Sequence, residues 1–367
     1  MPTILFYTSI KTRVRDQESL MAEYVRNGHQ VFFLNQQINN YLPRICEQAG
    51  VYYESFRVKE SHPIWIKTFC YCWHLIRFSW YNNVKIVYSH LEPANFIAVL
   101  SQYFIKARVI VVRHHHDLAR QIGFDKSLSY RLTYRLANHI ITVSESTKQY
   151  MSNEEGINSR KIHTIKLGYD FSIFDRVNQH LVDLIRKPYN NAVVLLTVGR
   201  LDNFKRPQIS IKVCQALNLA GIETHLLLLG EGDNEVNLKK EVALANMQNR
   251  VSFIGFVDNV QDYMKASDWL LHPSISESSC VVVKEAALVE LPVMVCKGIG
   301  DFDSYLNHNE NSILLNKDNF ACEAVDVIRM YMNNKEAKCK LGSKLRRDVL
   351  THFDIKSVIH NYDQFHN

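Results

Sequence analysis

Two glutamates, Glu277 and Glu285, stand eight positions apart in the stretch "SISESSCVVVKEAALVELPVMV", with the apolar run Val281 to Val283 between them. One carboxylate at the mouth of a cleft can grip sugar hydroxyls, and a second can hold a ribose diol. The competing reading makes Glu277 a helix cap and Glu285 a surface charge. A helix opening at Ser279 would aim the amides of residues 279–281 at an anion. Further upstream, "TVGRLDNFKRP" places Gly199, Arg200 and Lys205 directly after a strand-like run. Two cations beside a helix N-terminus form a site suited to a diphosphate. No G-x-x-x-x-G-K-[ST] string occurs, so this is not a Walker loop. In "LLLGEGDNE", Gly230 and Gly232 allow a backbone to come close to a ligand or simply to turn. "VSFIGFV" ends on Gly255, Phe256 and Val257, which could line a base pocket or close an ordinary strand.

The other chemical clusters are histidines, acids and thiols. His114, His115 and His116 follow "VIVVR", and a histidine run after a strand can bind metal. Acidic or cysteine companions are missing from that segment, which argues against it. "DFD" at 301–303 resembles a metal-binding D-x-D string. Eight cysteines are spread through mostly apolar runs, and only Cys70 and Cys72 lie close together. Buried free thiols in a reducing compartment are expected.

The elements that must position these residues can be read from periodicity. Short apolar, β-branched runs ("TILFYTS", "HQVFFLN", "VKIVYSH", "ARVIVVR", "IITVSES", "KIHTIKLG") alternate with amphipathic segments. A second cycle begins after "RKPYNN" with "AVVLLTVG" and runs through "ETHLLLLG", "RVSFIGF", "DWLLHPS", "LPVMVC" and "NSILLN". This alternation predicts an α/β fold of two Rossmann-like, doubly wound domains facing each other across a cleft. The expected division is 1–178, 179–350 and a C-terminal helix, 351–367, returning to the first domain. With 367 residues, the chain can bury two real cores. Its opening apolar run is too short for a signal peptide, and no stretch is long enough for a membrane span, so a cytoplasmic protein is expected.

Charge is uneven. Residues 1–178 carry 22 Lys and Arg against 14 Asp and Glu, while the remainder carries 21 against 23. A basic first half suggests a phosphate-bearing or membrane-surface partner. No groove-reading motif points to nucleic acid. Residues 61–83, read as a helix, set Trp65, Phe69, Trp73 and Ile76 on one broad face, with Lys67, His74 and Arg77 to one side. That pattern suits an interfacial helix on anionic lipid, and the competing reading packs the face on the sheet.

Taken together, "GR-x4-K", "GEG", "V-x-F-x-G" and "PS-x-x-E-x7-E-A-x5-P-V" resemble the C-terminal domain of the retaining glycosyltransferase family 4 (glycosyl transferases group 1), of GT-B fold. "YSHLEPAN", "VVRHHHD", "ANHIITVSES" and "IKLGYD" resemble elements of its first half. The resemblance implies sugar transfer, with retained configuration, from a UDP- or GDP-linked donor to a glycan or lipid-linked acceptor. It implies no cofactor and no metal, and fits surface polysaccharide biosynthesis with possible peripheral membrane contact. By position, Arg200 and Lys205 match the cations on the donor diphosphate. Glu277 matches the contact to the transferred sugar and Glu285 the contact to the ribose. The backbone of Ser278, Ser279, Cys280 and Val281 matches the loop beneath phosphate and sugar. His114 best matches the histidine near the anomeric centre, with His115 and His116 competing through a register shift. On the acceptor side, Lys11, Arg13, Arg15 and His90 are candidates, because "SIKTRVRD" replaces a usually glycine-rich loop. A second departure sets Glu290 where the family has glycine, and a third sets Asn311-Ser312 at its "nG" loop. The rival functions are a non-catalytic nucleotide-sugar or anionic-glycan binder and a GT-B epimerase.

Overall fold

The computed structural model describes all residues except 11–13, 39–40, 115–130, 174–175, 190 and 367. The chain forms two compact units, Met1–Asp170 with Phe353–Asn367, and Phe171–His352. The first division falls at residue 170, not 178.

The first unit is built on a seven-stranded sheet in the order β3-β2-β1-β4-β5-β6-β7, all neighbours parallel. Strand β1 (Ile4–Thr8), β2 (Val31–Asn35) and β4 (Ile86–His90) are buried at every residue. Continuous apolar runs of this kind suit strands covered by helices on both faces. Strand β5 (Arg108–Arg113), β6 (His139–Thr142) and β7 (Ile162–Thr164) complete one side. The edge strand β3 (Tyr52–Ser55) and the short helix α2 (Leu42–Gln48) carried no expectation. β3 has no apolar run, and its central tyrosine and glutamate are only part-buried. Helix α1 (Arg15–Arg26) packs Leu20, Met21 and Tyr24 against the sheet, where Ile355, Val358 and Tyr362 of the chain end join the same core.

Helix α3 (Ile64–Tyr81) corrects the expected face. Leu75, Ile76 and Phe78 are buried, so Ile76 turns inward. Trp65, Phe69, Trp73 and Trp80 stay 56–69% exposed. His74 lines one cavity with Arg77, as expected, but is also tied to the sheet side. Its ring stacks on Phe56 at 3.9 Å and its Nε2 lies 3.0 Å from Glu54. Burial lowers its pKa despite that carboxylate. Among the described residues, no helix is long and apolar enough to cross a membrane.

The second unit holds a six-stranded parallel sheet in the order β10-β9-β8-β11-β12-β13. Its central strands are β8 (Val193–Val198) and β11 (Trp269–His272). Outside them lie β9 (Thr224–Leu229), β10 (Val251–Gly255), β12 (Val293–Cys296) and β13 (Ile313–Leu315). Strand order reverses between β8 and β11, the kind of point where parallel sheets bind ligands at their C-terminal ends. Glu290, at the glycine position of the family pattern, has φ +61°. It closes a helix whose Ala286 and Ala287 carbonyls accept from Leu291 and Glu290 N–H at 3.0 and 2.9 Å. Gly342 packs directly on this turn, where an added Cβ would stand 2.0 Å from the Glu290 carbonyl.

Candidate active site

In the second unit, the loop after β8 is fixed before it reaches any ligand. Gly199 takes φ +145°. Asp202 Oδ1 accepts the N–H groups of Phe204 and Lys205, both at 2.9 Å. Arg206 adopts φ +52° just before Pro207 opens the helix Pro207–Leu219. Its guanidinium donates to the Pro273 carbonyl at 2.8 Å, the Lys317 carbonyl at 3.0 Å and Cys296 Sγ at 3.3 Å. One arginine therefore ties the ends of three strands to the loop that carries Lys205.

Lys205 Nζ lies 2.5 Å from Glu277 Oε1, and His272 Nε2 lies 2.7 Å from the same oxygen. Cys280 Sγ is 3.4 Å from that imidazole nitrogen. Burial alone would raise the Glu277 carboxyl, but His272 and Lys205 outweigh it and hold its pKa at about 2. Burial also works against the charged forms of His272 and Lys205. Cys280 and Glu277 nevertheless push the imidazole up to about 9, and Glu277 raises the ammonium. Arg200 behaves differently. Its side chain is 74% exposed and bonds Asp202 at 3.1 Å, so only one of the two expected cations is locked.

Gly230 and Gly232 serve backbone packing. A Cβ on Gly230 would stand 2.1 Å from the Gly199 carbonyl, and one on Gly232 would stand 2.5 Å from that of Leu201. Gly230 N–H donates to Gly255, and Leu201 N–H to Glu231, at 2.8 and 3.0 Å. The close approach is therefore to neighbouring loops. Gly255 has φ +80°, Phe256 is 75% exposed and Val257 is half-buried.

The glutamate helix begins at Val281, two residues later than Ser279, and ends at Leu288. Asp301 occupies its approach. The Cys280 N–H points at Asp301 Oδ1 at 3.5 Å, and Ser279 Oγ donates to Oδ2 at 2.8 Å. Lys284 Nζ reaches the same carboxylate at 2.7 Å, with both side chains 1% exposed. The first acid of "DFD" is thus half of a buried ion pair. The amide at Cys280 is not a free anion donor. Asp303 Oδ1 accepts from Gly298 N–H at 3.3 Å. Gly300 (φ +60°) presses on Glu277, where a Cβ would meet it at 2.9 Å. Ser278 and Val281 are half-buried. Glu285 is 6% exposed on the same helix, which removes the surface-charge reading.

In the first unit, His90 ends β4 and His114 follows β5 on the adjacent strand. His90 Nδ1 and His114 Nε2 are 3.0 Å apart, one donating and one accepting. Burial lowers the His114 pKa to about 4 and takes His90 well below its ordinary range, so both rings are neutral near pH 7. Behind them, Arg113 and Glu155 form a fully buried bidentate pair at 2.6 and 2.8 Å. Glu92 borders a cavity of about 360 Å³ lined by Gln36, Ile64, Lys67, Tyr71 and Phe96. Burial raises its pKa to about 7, although Tyr134 and Asn95 pull it back in part. Neither carboxyl oxygen has a hydrogen-bond partner within 3.5 Å among the described residues. Arg15 begins α1, and its carbonyl accepts from Ser19 Oγ at 2.7 Å. Lys11, Arg13, His115 and His116 lie outside the described residues.

Sequence reasoning missed His272, Cys280 as a side chain, Lys284, Asp202 and Arg206. His272 had one legible signal, a polar residue ending the buried run "WLLH".

Known proteins place this geometry in a family. Residues 185–348 match the model of the glycosyl transferases group 1, and residues 18–172 match that of glycosyltransferase family 4. The chain belongs to this family and has the GT-B fold. It is similar to N-acetyl-alpha-D-glucosaminyl L-malate synthase of Bacillus anthracis, 23% identical over 77% of this chain and 74% of that protein. It also resembles an uncharacterized glycosyltransferase of Haemophilus influenzae, 28% identical over 41% of this chain and 43% of the relative's length. Among solved structures, Anabaena HepE in complex with UDP superposes with a TM-score of 0.83 at 17% identity, covering 99% of this chain and 98% of that one.

Proposed function

We propose that this protein transfers a sugar, with retained anomeric configuration, from a nucleotide diphosphate sugar to a hydroxyl of a glycan or lipid-linked acceptor. The observation that carries the reading is the Lys205–Glu277–His272 cluster at the sheet's switch point. A carboxylate with a pKa of about 2 stays ionised at any physiological pH and accepts hydrogen bonds from sugar hydroxyls. Lys205, held by that carboxylate, and the exposed Arg200 neutralise charge developing on the leaving diphosphate. Glu285 takes the ribose, and Gly255, Phe256 and Val257 border the base. The donor is UDP- or GDP-linked. UDP is the better supported, since HepE has been solved with UDP and with UDP-glucose. His114, neutral near pH 7, is the hydrogen-bonding group of the first unit in this reading, and the acceptor proton passes to the departing phosphate.

Cationic side chains carry this charge, so the reaction needs no metal. The acceptor side is the cavity beside Glu92 and α3. The exposed aromatics of α3, with Lys67 and Arg77, support peripheral contact with anionic membrane and a role in surface polysaccharide assembly.

A panel of UDP- and GDP-sugars scored by released nucleotide tests the reading. Release from one donor is expected, and it should survive a chelator. Binding of nucleotide with no release from any donor would make the protein a binder, and a changed donor sugar without release would make it an epimerase. Flotation with anionic vesicles tests the membrane contact, which should weaken with salt.

A further inference from the structure

Three side chains of different chemistry converge next to the proposed donor cations, and sugar transfer uses only one of them. His272 ends β11, Glu277 sits in the following loop, and Cys280 caps the next helix. A nitrogen, an oxygen and a sulfur from these residues all lie within 4.8 Å of one another. The imidazole and the thiol are each 2% exposed. His272 comes from the end of a strand and Cys280 from the start of a helix, and Glu277 is carried by the loop between them.

We propose that His272, Glu277 and Cys280 form a binding site for a divalent cation of the zinc class, and that its occupancy switches the donor site off. The donor set selects the ion. A thiolate, an imidazole and a carboxylate suit zinc, whereas magnesium and calcium prefer oxygen ligands alone. Three protein ligands leave a fourth position for water or a phosphate oxygen. The residues bind as thiolate, neutral imidazole and carboxylate, so the protons they carry leave to solvent as the ion enters.

The inhibition follows from shared use of one carboxylate. Lys205 Nζ lies 2.5 Å from the Glu277 oxygen that also faces His272. A divalent ion and the ammonium compete for that oxygen, and the ion displaces the cation proposed to meet the diphosphate. The site itself rests on the ligand geometry. The inhibition rests on the donor reading given above.

The test uses the full chain with the exposed Cys322 and Cys339 and the part-buried Cys70 and Cys72 replaced by serine, to remove other accessible thiols. After chelator treatment it is titrated with cobalt(II). One equivalent should produce a thiolate-to-cobalt charge-transfer band, which zinc abolishes and magnesium leaves intact. Cys280→Ser should remove the band with circular dichroism unchanged. His272→Gln should weaken cobalt binding by about tenfold or more, and it serves as the second arm if Cys280→Ser fails to fold. Lys205→Met should tighten it, which a hydrogen-bond network without a metal role would not do. The absence of a band at millimolar cobalt, or a band that persists in Cys280→Ser, overturns the site. Zinc should also stop nucleotide release, and a chelator should restore it. Metal binding with release unaffected by zinc overturns the switch. Metal binding with no release under any condition leaves the site standing and removes the donor reading instead.

Discussion

The loops at the C-terminal ends of the two sheets are built on different principles. In the second unit the chemical side chains are ionised and paired. Lys205 grips Glu277, Lys284 grips Asp301, and Arg206 straps three strand ends together. In the first unit the paired histidines are neutral and the groups around them are loosely partnered. His90 and His114 share one hydrogen bond, and Glu92 borders a cavity of mixed lining with no hydrogen-bond partner within 3.5 Å among the described residues. A diphosphate presents the same charges whatever sugar it carries, so a prearranged set of ions can serve it. An acceptor varies in shape and polarity, and groups that are not locked in ion pairs adapt to it at lower cost. The first unit does contain a buried pair, Arg113–Glu155, but it lies behind the histidines.

This contrast can be broken most directly at Asp301. Replacing it with alanine leaves the buried Lys284 ammonium without this carboxylate, though still near the Ser279 hydroxyl and the Cys280 carbonyl, so chemical denaturation should show a loss of about 3–5 kcal/mol. A loss under about 1 kcal/mol would mean that the second unit is not held by its ions. Lys205→Ala comes next. Nucleotide release should fall by about 2–4 kcal/mol in barrier terms, because a partner of the leaving group acts mainly in the transition state. Activity within about threefold of the parent would end the assignment.

The first unit is tested through Glu92. Its folded pKa of about 7 lies above the ordinary value of 4.5, so between those pH values the folded state binds more protons than the unfolded state. Stability is therefore lost as pH rises through this window. Glu92→Gln cannot ionise, so it should escape that loss. Relative to the parent it should gain up to about 3 kcal/mol between pH 4 and pH 8, read from denaturation curves at both pH values. A constant difference would mean that the carboxyl has a partner and resembles those of the second unit. The smallest effect is expected at Glu290. Glycine relieves the positive φ, and Glu290→Gly should stabilise by at most about 1 kcal/mol. It would lose the hydrogen bond that the Ser343 hydroxyl donates to Glu290 Oε2 at 3.3 Å.

The central strands, Lys205 and the two glutamates were legible because their signals are local. Apolar runs, a cation before a helix and the E-x7-E spacing all lie within short windows. What could not be read were pairings across distance. Nothing near Asp301 announces Lys284 seventeen positions earlier, and nothing in "FKRP" says that Arg206 will reach Pro273, Cys296 and Lys317. Gly230 and Gly232 were visible, but the neighbouring loops that pack beside them, at Gly199 and Leu201, were not. The edge strand β3 was missed because half-exposed tyrosines and a glutamate carry no run of buried residues.

Helix α3 has an optical consequence. The chain has four tryptophans, and Trp65, Trp73 and Trp80 stand exposed on this helix, while Trp269 is buried at 2%. Emission from the exposed indoles reports almost entirely on one surface of the molecule. A blue shift when anionic vesicles or detergent are added, with Trp269 as a constant internal background, would read contact at that surface without any label. Quenching by iodide would separate the two populations in the same cuvette.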